Sequence, residues 1–220
     1  MADAKSDMTA RQAVMKTAQS MSAKGLSPQR SGNVSVRLED GSGIIVTPTG
    51  IAYDEYTPDD MVKLAMDGTP ASGEKKPSSE APFHLAIYHA FPDARAIVHC
   101  HSMAATALAC ARMEIPAFHY MVAVAGGAKI PLAKYATFGT DELAGSAVKA
   151  MKGGYKACLL ANHGQIAWAG SLPKALELAA VVETLARQYI DVLSLGKPHV
   201  LGKKEMTRVI DKFKGYGKQA

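Results

Sequence analysis

Among the seven histidines of the chain, two are separated by a single residue in Val98-His99-Cys100-His101. On a strand, residues i and i+2 project from the same face, roughly 7 Å apart at the backbone, so two imidazoles placed this way can converge on one ion. His163 stands in Asn162-His163-Gly164, which reads as a turn between two strands. A histidine at the end of a second strand can meet the first pair from the side. Three imidazoles with an open position are the usual arrangement of a catalytic zinc, and nitrogen donors favour zinc over magnesium. Glu80 could be a fourth, displaceable ligand or a base beside the metal. His84 and His89 lie five apart in a helical pattern, do not share a face well, and read as surface or packing residues.

A second group of residues could hold an anion. Ser31-Gly32-Asn33, Thr47-Pro48-Thr49-Gly50 and Pro77-Ser78-Ser79-Glu80 are loops rich in hydroxyl, amide and free backbone donors. The last of them opens a helix, whose N-terminus carries unpaired N–H groups and partial positive charge and so favours a phosphate. Ser78 and Ser79 add hydroxyl donors at that end. Each loop alone is an ordinary turn or cap; the case rests on their occurring together with the histidines.

The elements that must position these residues alternate in type. A first helix is expected from Thr9, with Gln12 three residues on as a capping box, and Gly25 ends it. Residues 33–38 alternate, with Val34, Val36 and Leu38 on one side and Ser35 and Arg37 on the other. A turn at 40–43 returns the chain as Ile44-Ile45-Val46-Thr47, an antiparallel hairpin. Residues 80–91 read as a helix, 96–101 as a strand, and 103–112 as a helix capped by Ser102. A helix over 141–151 opened by Thr140, strands over 157–161 and 165–169, and a long helix capped by Ser171 follow. A short tail helix carries the stripe Met206, Val209, Ile210 and Phe213. Strands and helices mix throughout, which predicts an α/β fold, and the early hairpin argues against a purely parallel sheet.

Composition narrows the function classes. With 220 residues, 48% hydrophobic and 20% charged, the chain can bury a substantial core as one domain. No segment approaches the roughly 20 apolar residues of a membrane helix. Residues 1–7 carry charges with no apolar stretch behind them, so no secretory leader and a cytoplasmic location are expected. The net charge of +5 is mild, and no basic stripe interleaves with aromatics, so nucleic acid is not an expected partner. Three cysteines in apolar surroundings, without a CxxC, read as buried small hydrophobes.

The motifs also stand in a recognisable order: Gly-Asn-Val-Ser at 32–35, Thr-Pro-Thr-Gly at 47–50, Ser-Ser-Glu at 78–80 and His-Cys-His at 99–101. His-Tyr-Met at 119–121, Ala-Gly-Gly at 125–127, Tyr-Ala-Thr-Phe-Gly-Thr at 135–140, Asn-His-Gly at 162–164 and Lys-Phe-Lys-Gly-Tyr-Gly at 212–217 follow. Over nearly its whole length the chain resembles the class II aldolase/adducin family, and within it the enzymes that cleave L-fuculose 1-phosphate. The resemblance implies a single α/β domain over residues 1–220, with a mainly antiparallel central sheet covered by helices and a mobile tail from about residue 204. It implies a homotetramer with active sites between neighbouring subunits. Zinc would be held by His99, His101 and His163, with Glu80 as fourth ligand and as the base for proton transfer. The substrate phosphate would lie among Asn33, Thr49, Gly50, Ser78 and Ser79. Tyr120 would be the proton donor to the aldehyde oxygen, and Tyr216 in the tail would close over a neighbour's site near Phe138.

This chain departs from the family pattern at Arg30, at Ala81-Pro82 and at Asn162, which leaves the aldehyde half of the substrate open. The implied reaction cleaves a ketose 1-phosphate, fuculose-like or a 5-deoxy- or 5-methylthio-ribulose, to dihydroxyacetone phosphate and an aldehyde. A ribulose-5-phosphate 4-epimerase, a methylthioribulose-1-phosphate dehydratase and a non-catalytic adducin-like module are the alternatives. Glu80 and the three intact histidines favour the aldolase.

Overall fold

Strands that are apolar on both sides need cover on both sides, and this sheet is built that way. A computed structural model of the chain describes residues 2–213 and Gly215. The helices are α1 (Ala2–Ala23), α2 (Ala81–Ala90), α3 (Met103–Cys110), α4 (Asp141–Met151), α5 (Leu172–Leu195) and α6 (Lys203–Phe213). The strands are β1 (Asn33–Arg37), β2 (Gly43–Val46), β3 (Val62–Ala65), β4 (Ala96–Cys100), β5 (Ile115–Pro116), β6 (Lys129–Ile130), β7 (Leu132–Ala133), β8 (Ala157–Leu160) and β9 (Gly164–Ala169). A seven-stranded sheet runs in the order β3-β2-β1-β4-β9-β8-β7, and β5 pairs with β6 apart from it. Every neighbouring pair in the large sheet is antiparallel except β7 with β8. The expected α/β class and mainly antiparallel sheet are therefore found.

Alternation along the strands sorts the core. Val34, Ile45, Val98, Leu159 and Ala167 face one layer, where they pack with residues of α1, α3 and α5. Ile44, Val46, Ile97, Ile166 and Trp168 face the other, beneath α2 and α4. Polar residues break the second face near the sheet centre: Asn33 and Ser35 on β1 and His99 on β4 are buried there. A buried polar group must find a partner or cost free energy, and these three lie on the face that α2 covers.

Several local expectations change. The first helix begins at Ala2, so the Thr9–Gln12 pattern is helix interior. Ala and Lys propagate a helix readily, and Asp7 pairs with Lys63 Nζ at 2.6 Å, fastening the extra turns to β3. Ser102 stands at the start of α3 but does not cap it. Its hydroxyl accepts from Gln165 Nε2 at 2.7 Å, and the carboxylate of Glu183 on α5 takes the N–H groups of Ala104 and Ala105 at 2.8 and 2.9 Å. A carboxylate at a helix N-terminus also meets the positive end of the dipole, which makes it a sound substitute for the serine. Ser171 likewise precedes α5 without a side-chain bond, whereas Thr140 caps α4 through Leu143 N as expected. Helix α3 ends at Cys110, two residues early, and Arg112 beyond it turns left-handed with φ 58°. Cys110 is exposed on that last turn; Cys100 and Cys158 are buried. Strand β3 and the two-residue strands β5 to β7 were not foreseen.

The tail stripe docks as its spacing suggests. Met206 is buried with Ala117 and Ala123, and Val209, Ile210 and Phe213 pack around them. Tyr216 lies outside the described residues. No helix among the described residues is long and apolar enough to cross a membrane.

Candidate metal centre and adjoining cavity

Three structural elements end at one point. Strand β4 carries His99 on the α2 side, opposite Asn33 of β1, and His101 follows on the same face just past the strand. The β8–β9 turn is made by Asn162 with φ 54°, a left-handed backbone that asparagine tolerates better than most residues, and it presents His163. Glu80 occupies the position preceding α2, where the dipole favours an anion. One ligand atom from each of Glu80, His99, His101 and His163 lies within 4.8 Å of all the others. His99 Nε2 is 3.0 Å from His101 Nε2 and 3.1 Å from Glu80 Oε2, and His163 Nε2 is 3.1 Å from Glu80 Oε1. The three ring planes are mutually steep, at 73° to 78°.

Whether a cation fits can be decided from protons. His99 Nδ1 lies 2.8 Å from the Gln165 carbonyl. Only an N–H can face a carbonyl oxygen, so Nε2 is the nitrogen left for a metal ion, and it points into the cluster. Burial, reinforced by the neighbouring His99 and His163, pushes the His101 pKa down to about 3, so that ring is neutral. Burial works to raise the Glu80 carboxyl, but His99 and His163 outweigh it and hold the group well below the usual carboxylate range. Glu80 Oε1 is buried and accepts no well-formed hydrogen bond. A central cation would give these inward-facing atoms one shared partner. Ligands of a tetrahedral zinc, with bonds of about 2.0–2.1 Å, must lie roughly 3.3 Å from one another, which the observed spacings approach. The donor set fits zinc.

Two close approaches hold the corner. A Cβ on Gly164 would lie 2.5 Å from the Cys100 carbonyl oxygen and 2.8 Å from His101 Cδ2. A Cβ on Gly32 would lie 2.6 Å from the His99 carbonyl oxygen. The Gly32 N–H donates to Tyr53 Oη, and that hydroxyl donates back to the Gly32 carbonyl, each at 2.8 Å.

A cavity of about 610 Å³ opens over the cluster. Thr49, Gly50, Ser78 and Ser79 line it together with Glu80, His101 and His163, so the expected anion loops and metal ligands do meet. Arg30 also lines it, with φ 63°, and is the one Lys or Arg among its described lining residues. Tyr135 and Phe138 form an exposed aromatic side, 52% and 65% accessible. Asn33 is at the cavity too, but its Nδ2 donates to Glu80 Oε2 at 2.8 Å, a role the sequence did not suggest. Tyr120 does not line this cavity. It stands 51% exposed in a separate groove of about 770 Å³ beneath α6, against Phe213.

His84, set aside as a surface or packing residue, is fully buried and bonded to Asn33 Oδ1 at 2.6 Å and Ser35 Oγ at 2.7 Å. Burial, with His99 as the next contributor, pushes its pKa down to about 3. The available signal was its spacing from Glu80: four residues on, hence one turn along the same helix face. His89 is exposed, as expected.

Gly164→Ala is expected to weaken zinc binding on the order of tenfold or more, the cost of disturbing a ligand's support. The contacted atoms are backbone and the ligand ring itself, so neither can yield cheaply. Competition with a chromophoric chelator measures it, and an unchanged affinity with unchanged thermal stability would show that His101 is not held by this contact.

The whole arrangement can be compared with known proteins. Residues 12–190 match the model of the class II aldolase and adducin N-terminal domain. The chain is 45% identical over 210 residues to the 5-methylthioribulose-1-phosphate/5-deoxyribulose-1-phosphate aldolase of Rhodospirillum rubrum, covering 96% of this chain and 93% of that protein. It is 46% identical over 205 residues to the L-fuculose phosphate aldolase of Escherichia coli K12, covering 93% and 94%. A solved structure of an L-fuculose 1-phosphate aldolase superposes with a TM-score of 0.90 at 40% identity, covering 94% of this chain and 96% of that one. With the match spanning most of its length, the chain belongs to the class II aldolase and adducin N-terminal domain family.

Proposed function

We propose that this chain is a zinc-dependent aldolase of the cytoplasm that reversibly cleaves a ketose 1-phosphate to dihydroxyacetone phosphate and an aldehyde. The observation that carries this reading is one cavity in which the Glu80, His99, His101 and His163 cluster adjoins the hydroxyl-bearing loops at Thr49 and at Ser78-Ser79. Its volume, about 610 Å³, suits a small sugar phosphate. The aldehyde half is L-lactaldehyde-like, as for fuculose 1-phosphate, or the remainder of a 5-deoxy- or 5-methylthio-ribulose 1-phosphate. Exposed Tyr135 and Phe138 offer that end an apolar wall.

Zinc, when bound, supplies a Lewis acid for the substrate oxygens as negative charge develops beside the carbonyl. The chain's own residues do the rest. Asn33, Thr49, Gly50, Ser78 and Ser79 receive the phosphate, with Arg30 as its cationic partner. Glu80, an anion at neutral pH, takes or returns the proton at the carbon next to the carbonyl. No lysine lines the cavity among the described residues, so nothing there supplies an amine for a Schiff base. Tyr120 and Tyr216 act on a neighbouring subunit's site in a homotetramer, Tyr120 as proton donor and Tyr216 as part of a lid near Phe138.

The direct test is to incubate a panel of ketose 1-phosphates with the zinc-loaded protein and measure dihydroxyacetone phosphate. Release that is lost on chelation and restored by zinc is expected; release that persists in metal-free protein, or product formed without carbon–carbon cleavage, overturns the reading. Replacing Arg30 by Ala should raise the substrate KM about tenfold while changing kcat little, because a phosphate contact remote from the breaking bond acts mainly through binding. Equal kinetics in the two proteins would remove Arg30 from the phosphate site. Shared sites have their own test. Inactive Tyr120→Phe and Glu80→Gln proteins, mixed and reassembled, should recover activity, since some sites then draw an intact Tyr120 and an intact Glu80 from different subunits. No recovery in mixed assemblies would return both residues to a single chain.

A further inference from the structure

One helix and one strand carry polar residues into the core at matched intervals. Glu80, His84 and Tyr88 recur every four residues along and just before α2, about 6 Å per step. Asn33 and Ser35 recur every two along β1, about 6.8 Å per step. The two rows run side by side, so their side chains interleave. Glu80 meets Asn33, His84 meets Asn33 and Ser35, and Tyr88 meets Ser35.

The direction of every proton in this row follows from its end. The Glu80 carboxylate can only accept. Asn33 Nδ2 therefore faces Glu80 Oε2 at 2.8 Å, which turns Asn33 Oδ1 toward His84 Nε2 at 2.6 Å. That oxygen also only accepts, so His84 Nε2 carries the hydrogen. The ring is neutral, so Nδ1 is bare and accepts from Ser35 Oγ at 2.7 Å. The Ser35 proton is then spent, and Tyr88 Oη donates to Ser35 at 2.8 Å. Asn33, Ser35, His84 and Tyr88 are all buried, between 0% and 4% exposed, so bulk water cannot replace a missing donor.

We infer that His84 is a positioning residue for Glu80: its Nε2–H fixes the Asn33 carboxamide so that the amide N–H, and not the oxygen, meets the carboxylate. An amide reversed end for end would set two acceptors 2.8 Å apart, which is repulsive. Asn33 has no internal preference between the two orientations, since its oxygen and nitrogen occupy nearly the same volume. The carboxylate on one side and His84 Nε2–H on the other select the same orientation, so His84 anchors the far end of the amide and thereby sets where Glu80 Oε2 rests relative to His99. The claim concerns Glu80 and the zinc-binding corner; only its kinetic consequence rests on the aldolase reading.

The test begins with the tautomer. Long-range proton–nitrogen correlation on histidine-labelled protein, with and without zinc, should show His84 with a protonated Nε2 and a bare Nδ1. The resonance is assigned by its loss in His84→Gln. The opposite tautomer would overturn the inference outright, and this measurement needs neither substrate nor a destabilised variant. Two substitutions then separate positioning from packing, because His84 also stacks on Phe83 at 4.8 Å. His84→Gln can place an amide N–H where Nε2–H was, and should keep zinc affinity within about threefold. His84→Leu fills the space without a donor, and should lose about tenfold or more in zinc affinity, with kcat falling further than KM rises. A folded Leu variant with unchanged zinc affinity, or a folded Gln variant as weak as Leu, contradicts the inference. A protein that shows the expected tautomer and zinc pattern but cleaves no ketose 1-phosphate would overturn the aldolase reading and leave this one intact.

Discussion

Four side chains whose ligand atoms lie within 4.8 Å of one another do not keep their directions of their own accord. For them to hold a cation, the geometry has to be imposed before binding. Much of the surrounding fold can be understood as the means of imposing it. His99 is oriented by the Gln165 carbonyl of the adjacent strand, so its lone pair has one direction available. Gln165 is itself fixed through its side chain to Ser102 and to the Ala179 carbonyl on α5. His101 is pressed against a strand that lacks a side chain at Gly164. Support of this kind, one shell out, sets ligand direction as firmly as the ligands themselves set affinity.

The same demand explains why polar residues interrupt a sheet face that is otherwise apolar. Asn33, Ser35 and His99 sit among Ile44, Val46, Ile97 and Ile166 on the α2 side. A core without them would bury more apolar area and would be easier to satisfy. It could not, however, hold a carboxylate at the head of α2 in one orientation. Buried networks are stabilising only when their members are paired, and this one runs unbroken from Tyr88 to Glu80 Oε2. The opposite face carries α1, α3 and α5 on a nearly apolar surface and has no such task. The two faces of one sheet thus divide the work, one contributing cohesion and the other orientation.

What the sequence made legible follows from which signals are local. The pair His99 and His101 is legible because strand alternation relates residues two apart, and the hairpin of β1 and β2 because its apolar residues alternate on either side of a turn. The anion loops are visible as composition, and the structure brings residues of all three to one cavity. His84 reads as a surface or packing residue from its five-residue spacing to His89; it is indeed packed, and the four-residue step from Glu80 is the spacing that carries its hydrogen-bonded role. The cap on α3 was unreadable for a different reason. Ser102 has the right type at the right place, but Gln165 competes for its hydroxyl, and Glu183 arrives from a helix about 80 residues later in the chain. Propensity can rank candidates for a cap; it cannot see a carboxylate delivered by tertiary packing. Tyr120 shows the same boundary, since no pattern in one chain tells whether a tyrosine faces its own cavity.

The cavity is constrained unevenly, and that unevenness bears on how substrate choice can change. At the metal corner, Glu80 and His99 are buried and hydrogen-bonded to Asn33 and to the Gln165 carbonyl, so a substitution there disturbs several bonds at once. Replacements of that kind are the ones that cost several kcal/mol. Tyr135 and Phe138, on the other side, are more than half exposed, and Arg30 ends a short 3-10 turn in a left-handed conformation. Changing these side chains removes little packing, so the cost in stability is small. The proposed metal corner is therefore tied to the core, while the wall that would meet the aldehyde half is nearly free of it. A fold arranged this way can alter the tail of its substrate by a few surface substitutions without reopening the problem of holding Glu80 and three histidines in one geometry.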